Sequence, residues 1–122
     1  MSRRILITGS KKWNDDTSVR EILNQELSDT PEDQWLVIIH GGNKGVDQIA
    51  DAWAYDQLRR GKKVRCEQFC TDDSRERNAL MVKRNPEKVH GFPLSSKRAR
   101  HCMTLAASYG IPVIDHSPGQ NQ

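Results

Sequence analysis

Two runs of apolar, mostly β-branched residues, Ile5-Leu6-Ile7 and Leu36-Val37-Ile38-Ile39, leave this chain little choice of architecture. Neither run alternates with polar residues, so each must be covered on both faces, as strands of a parallel sheet are when helices lie above and below them. Each run also stops on glycine: Arg4–Thr8 ends at Gly9, and Trp35–His40 ends at Gly41-Gly42. The period then changes. From Asp15, with Asp16 or Thr17 able to cap, Val19, Ile22, Leu23 and Leu27 form one helical stripe that closes at Thr30-Pro31. After the second glycine turn, Val46, Ile49, Ala50, Trp53, Ala54 and Leu58 form another, with Gly61 as its stop.

The alternation continues to the end. A strand is predicted at Val64–Phe69, a helix at Ser74–Lys83, a strand at Val89–Phe92, a helix from Lys97 to Tyr109 before Gly110, and a strand at Ile111–Ile114. Strands separated by helices through short connections predict an α/β fold: a Rossmann-like, open, mostly parallel sheet with helices on both faces and right-handed crossovers. With 122 residues the chain has the size of one domain. That domain is expected over 1–116, with a flexible tail over 117–122, rich in Pro, Gly, Gln and Asn.

Composition narrows the setting. Charged residues make up 29% of the chain, mean hydropathy is −0.78, and no apolar run approaches the roughly 20 residues of a membrane span. Neither a membrane partner nor a signal peptide is expected. Cys66, Cys70 and Cys102 are odd in number and lack CxxC spacing, which predicts neither a disulfide framework nor a zinc knuckle and suits a reducing cytoplasm. The formal charge of +3 suits nucleic acid, small anions or nothing in particular, so the placement of the cations decides.

In a parallel sheet every strand ends on the same edge, and ligands bind in the crevice outside those ends. The loops that meet there are 8–13, 40–45, 70–75 and 93–98. Three of the four combine glycine or hydroxyl residues with cations. Glycine lets backbone N–H groups approach an anion, and the following helix start adds free amides and a positive dipole end. The sequence holds no GxGxxG, Walker lysine-serine pair or HExxH, so the anion reading rests on this geometry alone. No cofactor is expected, and the scattered His40, His90 and His101 predict no metal site.

The candidate ligand-binding residues follow loop by loop. Gly9, Ser10, Lys11 and Trp13 offer a close backbone approach, a hydroxyl, an ammonium and an indole that can stack on a base or cap a pocket. Gly41, Gly42, Asn43 and Lys44 form the second glycine turn, and Asp47 stands in the next helix's first turn, placed to accept from a ribose hydroxyl or simply to stabilise the helix. Arg77 and Asn78 suit a phosphate contact and an amide contact, with a loop-tying role as the alternative. Pro93, Ser95, Ser96, Lys97 and Arg98 complete the edge. Lys97, Arg98 and Arg100 place cations at a helix start, against the dipole, which calls for an offsetting anion or partner.

Taken in order, Ile5–Asp15, Gly41–Ala50, Arg77–Met81, Phe92-Pro93-Leu94, Arg100–Met103 and Gly110–Val113 resemble the YspA-like family of the SLOG superfamily, related to the LOG enzymes. The resemblance spans nearly the whole chain. It implies a Rossmann-like fold that binds nucleotides or their derivatives, such as an ADP-ribose derivative or cyclic nucleotide, for signal sensing in bacterial and phage conflict; it also implies a homo-oligomer. Some relatives hydrolyse nucleoside monophosphates and others only bind. Two departures matter: Arg98-Ala99 replaces the family's usual Gly-Thr, and His101 and Cys102 stand where the LOG enzymes carry glutamates. Loss of those carboxylates favours a non-catalytic binder that senses or sequesters its ligand. The competing readings are a nucleotide N-glycosidase drawing on Asp47, Asp72 or Asp73, and, ranked last, a single-stranded nucleic-acid binder following the basic edge.

Overall fold

The computed structural model describes residues 2–117. The five strands β1 (Ser2–Gly9), β2 (Trp35–His40), β3 (Val64–Gln68), β4 (Lys88–Phe92) and β5 (Val113–Asp115) alternate with α1 (Asp16–Ser28), α2 (Val46–Arg59), α3 (Ser74–Lys83) and α4 (Lys97–Ser108). All neighbouring strands pair in parallel, in the order β3-β2-β1-β4-β5. This is the expected open, Rossmann-like α/β sheet, with an apolar cluster on each of its faces.

The central apolar runs show why. Ile5, Ile7, Leu36 and Ile38 project to one face, where Val19 and Leu23 of α1 and Ala50 and Trp53 of α2 cover them. Leu6 and Ile39 project to the other, against Met81 and Val82 of α3 and Cys102 and Ala106 of α4. Strand side chains alternate between faces, so a run apolar at every position feeds two cores at once. Among the described residues no helix is long and apolar enough to cross a membrane.

Several boundaries move from their expected places, β1 and β4 each beginning earlier, at Ser2 and Lys88. Asp15 is the cap of α1, its side chain accepting from Ser18 N, in place of Asp16 or Thr17. The predicted β3 loses Phe69, although the Phe69 amide still donates to the His40 carbonyl. β5 begins at Val113 rather than Ile111, because Pro112 has no N–H to give the ladder; its carbonyl accepts from Val89. Of the tail expected over 117–122, Ser117 donates both its amide and its hydroxyl to Asp115 Oδ1; the rest lies outside the described residues.

Topology fixes where a ligand can enter. From β1 the chain runs outward through β2 and β3, then returns to the other side of β1 for β4 and β5, so the connections diverge between the C-terminal ends of β1 and β4. Gly9 ends β1 at that point. A Cβ there would fall 2.5 Å from Val46 Cγ2 and 3.0 Å from the Phe92 carbonyl oxygen, so the absent side chain lets the start of α2 close against the sheet.

Candidate functional site

An open cleft of about 630 Å³ lies over this switch point, with all four strand-end loops in its wall. The loop after β1 gives Ser10, Lys11 and Lys12, and that after β2 gives Asn43. Thr71, Asp72, Ser74 and Arg77 come from the β3–α3 connection, and Ser95, Ser96, Lys97 and Arg98 from the start of α4. Five cations thus face one carboxylate, Asp72. None of those cations forms an ion pair among the described residues, whereas Arg3 binds Glu26 and Glu87, and Arg84 binds Glu67, elsewhere on the fold.

The entry to α4 is shaped for this cleft. Ser96 caps the helix, its Oγ accepting from Ala99 N at 3.1 Å, so the first-turn amides of Lys97 and Arg98 are left without intrahelical acceptors. A tight turn precedes the cap: Ser96 N donates to the Pro93 carbonyl at 2.7 Å, with Leu94 held at φ 46 in the left-handed region. That conformation costs a non-glycine residue on the order of 1 kcal/mol. Arg100 holds it from outside, its guanidinium donating to the Leu94 carbonyl at 2.7 Å.

Arg98 and Arg77 form the half-buried part of the wall. Arg98 donates one N–H to the Gly9 carbonyl at 2.6 Å. Burial works against its charge and pulls its pKa below the usual arginine value; nearby Asp47 opposes this and Arg77 adds to it. Arg77 donates to the Thr71 carbonyl at 2.9 Å, while its Nε is buried without a partner. Thr8 Oγ1, Asp47 Oδ1 and Asn78 Oδ1 are likewise buried and unpartnered among the described residues. Four of the five such atoms therefore belong to strand ends and helix starts around one site, where each costs roughly 1 to 3 kcal/mol.

The Gly41-Gly42 turn is built differently from an amide cradle. Asp47 Oδ2 accepts from the amides of Gly41 at 3.1 Å and Asn43 at 3.2 Å, and His40 Nδ1 accepts from Gly42 at 3.0 Å. All three backbone donors are thus spent inside the protein. Gly42 is at φ 74, and a Cβ on it would meet the Gln68 side chain. Asp47 is 1% exposed and lies beneath the cleft, not on its wall; burial drives its carboxyl upward, opposed by His40, the Asn43 amide and Arg98.

Other expected residues also stand apart from the wall. Asn78 is fully buried and ties the helices, Nδ2 donating to the Arg98 carbonyl at 3.2 Å and to His101 Nδ1 at 2.9 Å. Trp13 packs edge-on against Phe92 at 5.0 Å, gives its indole N–H to the Asp15 carbonyl, and lines a side pocket of about 190 Å³ with Lys12 and Leu94. Gly9 and Pro93 are buried supports, and Lys44 is exposed outside the cleft. Lys12, Thr71 and Ser74 line the cleft without having been among the sequence candidates, and Asp72 was one only for the hydrolytic reading, although the strand-end rule applied to β1 and β3 points to all four. Cys102 is a buried thiol pushed up to about 12 by burial, which keeps it protonated at neutral pH.

One cluster has the composition of a metal site. Ligand atoms of His40, Asp51 and Cys66 lie within 4.8 Å of one another. The hydrogen bonds argue for a brace instead. Because His40 Nδ1 accepts the Gly42 amide, the neutral ring carries its proton on Nε2 and donates to Asp51 Oδ1 at 2.9 Å. A metal on Nε2 would need that proton on Nδ1.

Comparison with known proteins gives two matches. The family model described as YAcAr, the YspA, cpYpsA-related SLOG family, matches residues 3–75, from β1 into α3. The "Gene 61 protein" of Mycobacterium phage D29 is 40% identical over 121 residues, covering 93% of this chain and 95% of that protein. The second match therefore extends over α4, which supplies Ser96, Lys97 and Arg98 to the cleft.

Proposed function

The chain belongs to the YspA, cpYpsA-related SLOG family, and on that premise we propose that its cleft binds a phosphate-bearing nucleotide or nucleotide-derived signal, such as an ADP-ribose derivative or cyclic nucleotide. The observation that carries this reading is the convergence of Lys11, Lys12, Arg77, Lys97 and Arg98 with the free first turn of α4 on one crevice. Cations at a helix start oppose the dipole and repel each other, and an anion removes both penalties at once. The volume of about 630 Å³ suits a nucleotide-sized ligand.

Binding without cleavage fits the carboxylates better than N-glycosidic hydrolysis does. Asp47 is buried and spends Oδ2 on backbone amides, and Asp73 caps α3 by accepting from Arg75 and Glu76. Asp72, exposed on the wall, is the carboxylate that a hydrolytic reading must use. Calorimetric titration with AMP, ADP-ribose and a cyclic nucleotide, each beside its unphosphorylated nucleoside, tests the proposal. Selective binding of the phosphorylated member with no free base released supports a sensor or sequestering protein. Base release that disappears in Asp72→Asn supports the hydrolase, and equal binding of each pair refutes the phosphate reading.

A further inference from the structure

The outer edge of β3 carries a pattern that the ligand cleft does not use. Leu36 N donates to the Lys63 carbonyl and Phe69 N to that of His40. By the two-residue period of a parallel ladder, main-chain groups of 63, 65, 67 and 69 turn toward β2, while those of Cys66 and Gln68 and the Val64 carbonyl turn outward, the Val64 amide being spent on the Lys62 carbonyl at 3.0 Å. The register runs without interruption from Leu36↔Val64 to His40↔Gln68, and the strand contains no proline. β3 thus has no proline or register break to blunt its edge, and the charges it carries there, Arg65 and Glu67, are of opposite sign. The opposite edge, β5, is three residues long and follows Pro112.

The side chains around Cys66 are self-complementary. Arg65 and Glu67 share one face, with Glu67 fixed there by Arg84, whose Nε and Nη2 each reach it at 2.9 Å. Hydrogen bonding from Arg84, together with Arg4 and Arg65, holds Glu67 ionised, below the usual carboxylate range. Were two copies to pair antiparallel about a twofold axis at Cys66, Arg65 would stand opposite Glu67 of the partner subunit on both sides of the axis. Those positions are the non-hydrogen-bonded pairs, in which side chains approach most closely. The other face adds apolar surface: Tyr55 and Leu58 of α2 are 62% and 45% exposed and border, with Ala54, Val64 and Cys66, a shallow groove of about 150 Å³ beside the same strand.

We propose that the β3 edge is an interface for a second copy of this chain, paired antiparallel about Cys66 so that Arg65 meets Glu67 of the partner subunit and the two α2 helices cover each other's Tyr55 and Leu58. The two sheets then become one continuous sheet, and the clefts open toward opposite ends of the dimer. Closure about a twofold axis uses both copies of the edge and leaves none to propagate.

Sedimentation at micromolar to submillimolar concentration should give twice the chain mass of 13.9 kDa. Arg65→Glu and Glu67→Lys should each halve the observed mass, because each homodimer then places like charges opposite one another at two positions. Mixed in equal amounts they should recover the doubled mass, since every facing pair in the heterodimer is again opposite in sign. Glu67→Lys also removes a partner of Arg84, so circular dichroism must show it folded. Should it fail to fold, Arg65→Glu and Leu58→Glu decide, and both should give the single-chain mass. A wild-type protein at single-chain mass overturns the proposal, as does a dimer that survives these substitutions or folded variants whose mixture fails to reassociate.

Discussion

Replacing Arg98 by methionine separates the two things its guanidinium does. In the free protein it spends one N–H on the Gly9 carbonyl at 2.6 Å, worth about 1 kcal/mol. Against that, a half-buried cation is kept beside Arg77 with no carboxylate in contact, and its lowered pKa expresses that cost. Arg98→Met keeps most of the apolar stem and removes both terms, so the net loss of stability should stay under about 1 kcal/mol, a few degrees in Tm at most for a domain of this size. Affinity should respond differently. A charged hydrogen bond to phosphate contributes roughly 1.5 to 3 kcal/mol, which converts to about a 10- to 150-fold loss. Calorimetry with AMP and adenosine, repeated at raised salt, reads this directly: the AMP constant should weaken by that factor and the adenosine constant barely move. Equal weakening of both would mean that Arg98 acts by positioning Gly9 and its loop, and unchanged AMP binding would remove it from the site.

The architecture was legible because its signal is local. Ile5-Leu6-Ile7 and Leu36–Ile39 are short, rich in β-branched residues and closed by glycine, which favours a two-faced strand over a buried helix, and the helical stripes between them leave the sheet order open. The cleft wall was partly legible for the same reason, since the strand-end rule needs topology alone; hence Ser10, Lys11, Asn43, Arg77, Ser95, Ser96, Lys97 and Arg98 are on it. What the pattern could not give is which way a donor points. Gly41-Gly42 reads identically whether its amides face a ligand or an internal acceptor, and here His40 and Asp47 capture them. Asn78 has the same ambiguity, settled by its contacts with the Arg98 carbonyl and His101. The Glu26–His90–His116 chain was beyond reach, because Glu26 and His90 are 64 residues apart and meet only once α1 is docked on β4.

Arg77→Ala should weaken AMP by roughly 1.5 to 3 kcal/mol if its guanidinium contacts phosphate; a lower Tm with unchanged affinity would assign it to the Thr71 carbonyl alone. Gly42→Ala should lower stability by about 1 kcal/mol, since its φ of 74 suits glycine and the added Cβ meets only the flexible Gln68 end, 2.6 Å from Nε2. It should leave AMP affinity intact, and a folded variant that no longer binds would put this turn back in the site. Glu26 Oε2 lies 2.6 Å from His90 Nε2, and a carboxylate can only accept, so His90 Nδ1 is left to accept from His116 Nε2 at 2.8 Å. Burial pulls both histidines below their ordinary 6.5, outweighing the opposing pull of Glu26 on His90. For Glu26, burial pushes upward but hydrogen bonds from His90, Arg3 and Lys88 prevail and hold it below 4.5. All three groups therefore bind protons more readily unfolded than folded, so stability is complete above about pH 6.5 and falls as pH drops through the lower folded values. Glu26 adds a second loss beneath 4.5. Urea midpoints measured from pH 8 to 4 should decline from the first of these points in the wild type, with a shallower slope between the two in His90→Gln; a flat profile down to pH 5 would show that the histidines gain no net proton on unfolding and that burial is not what sets their charge.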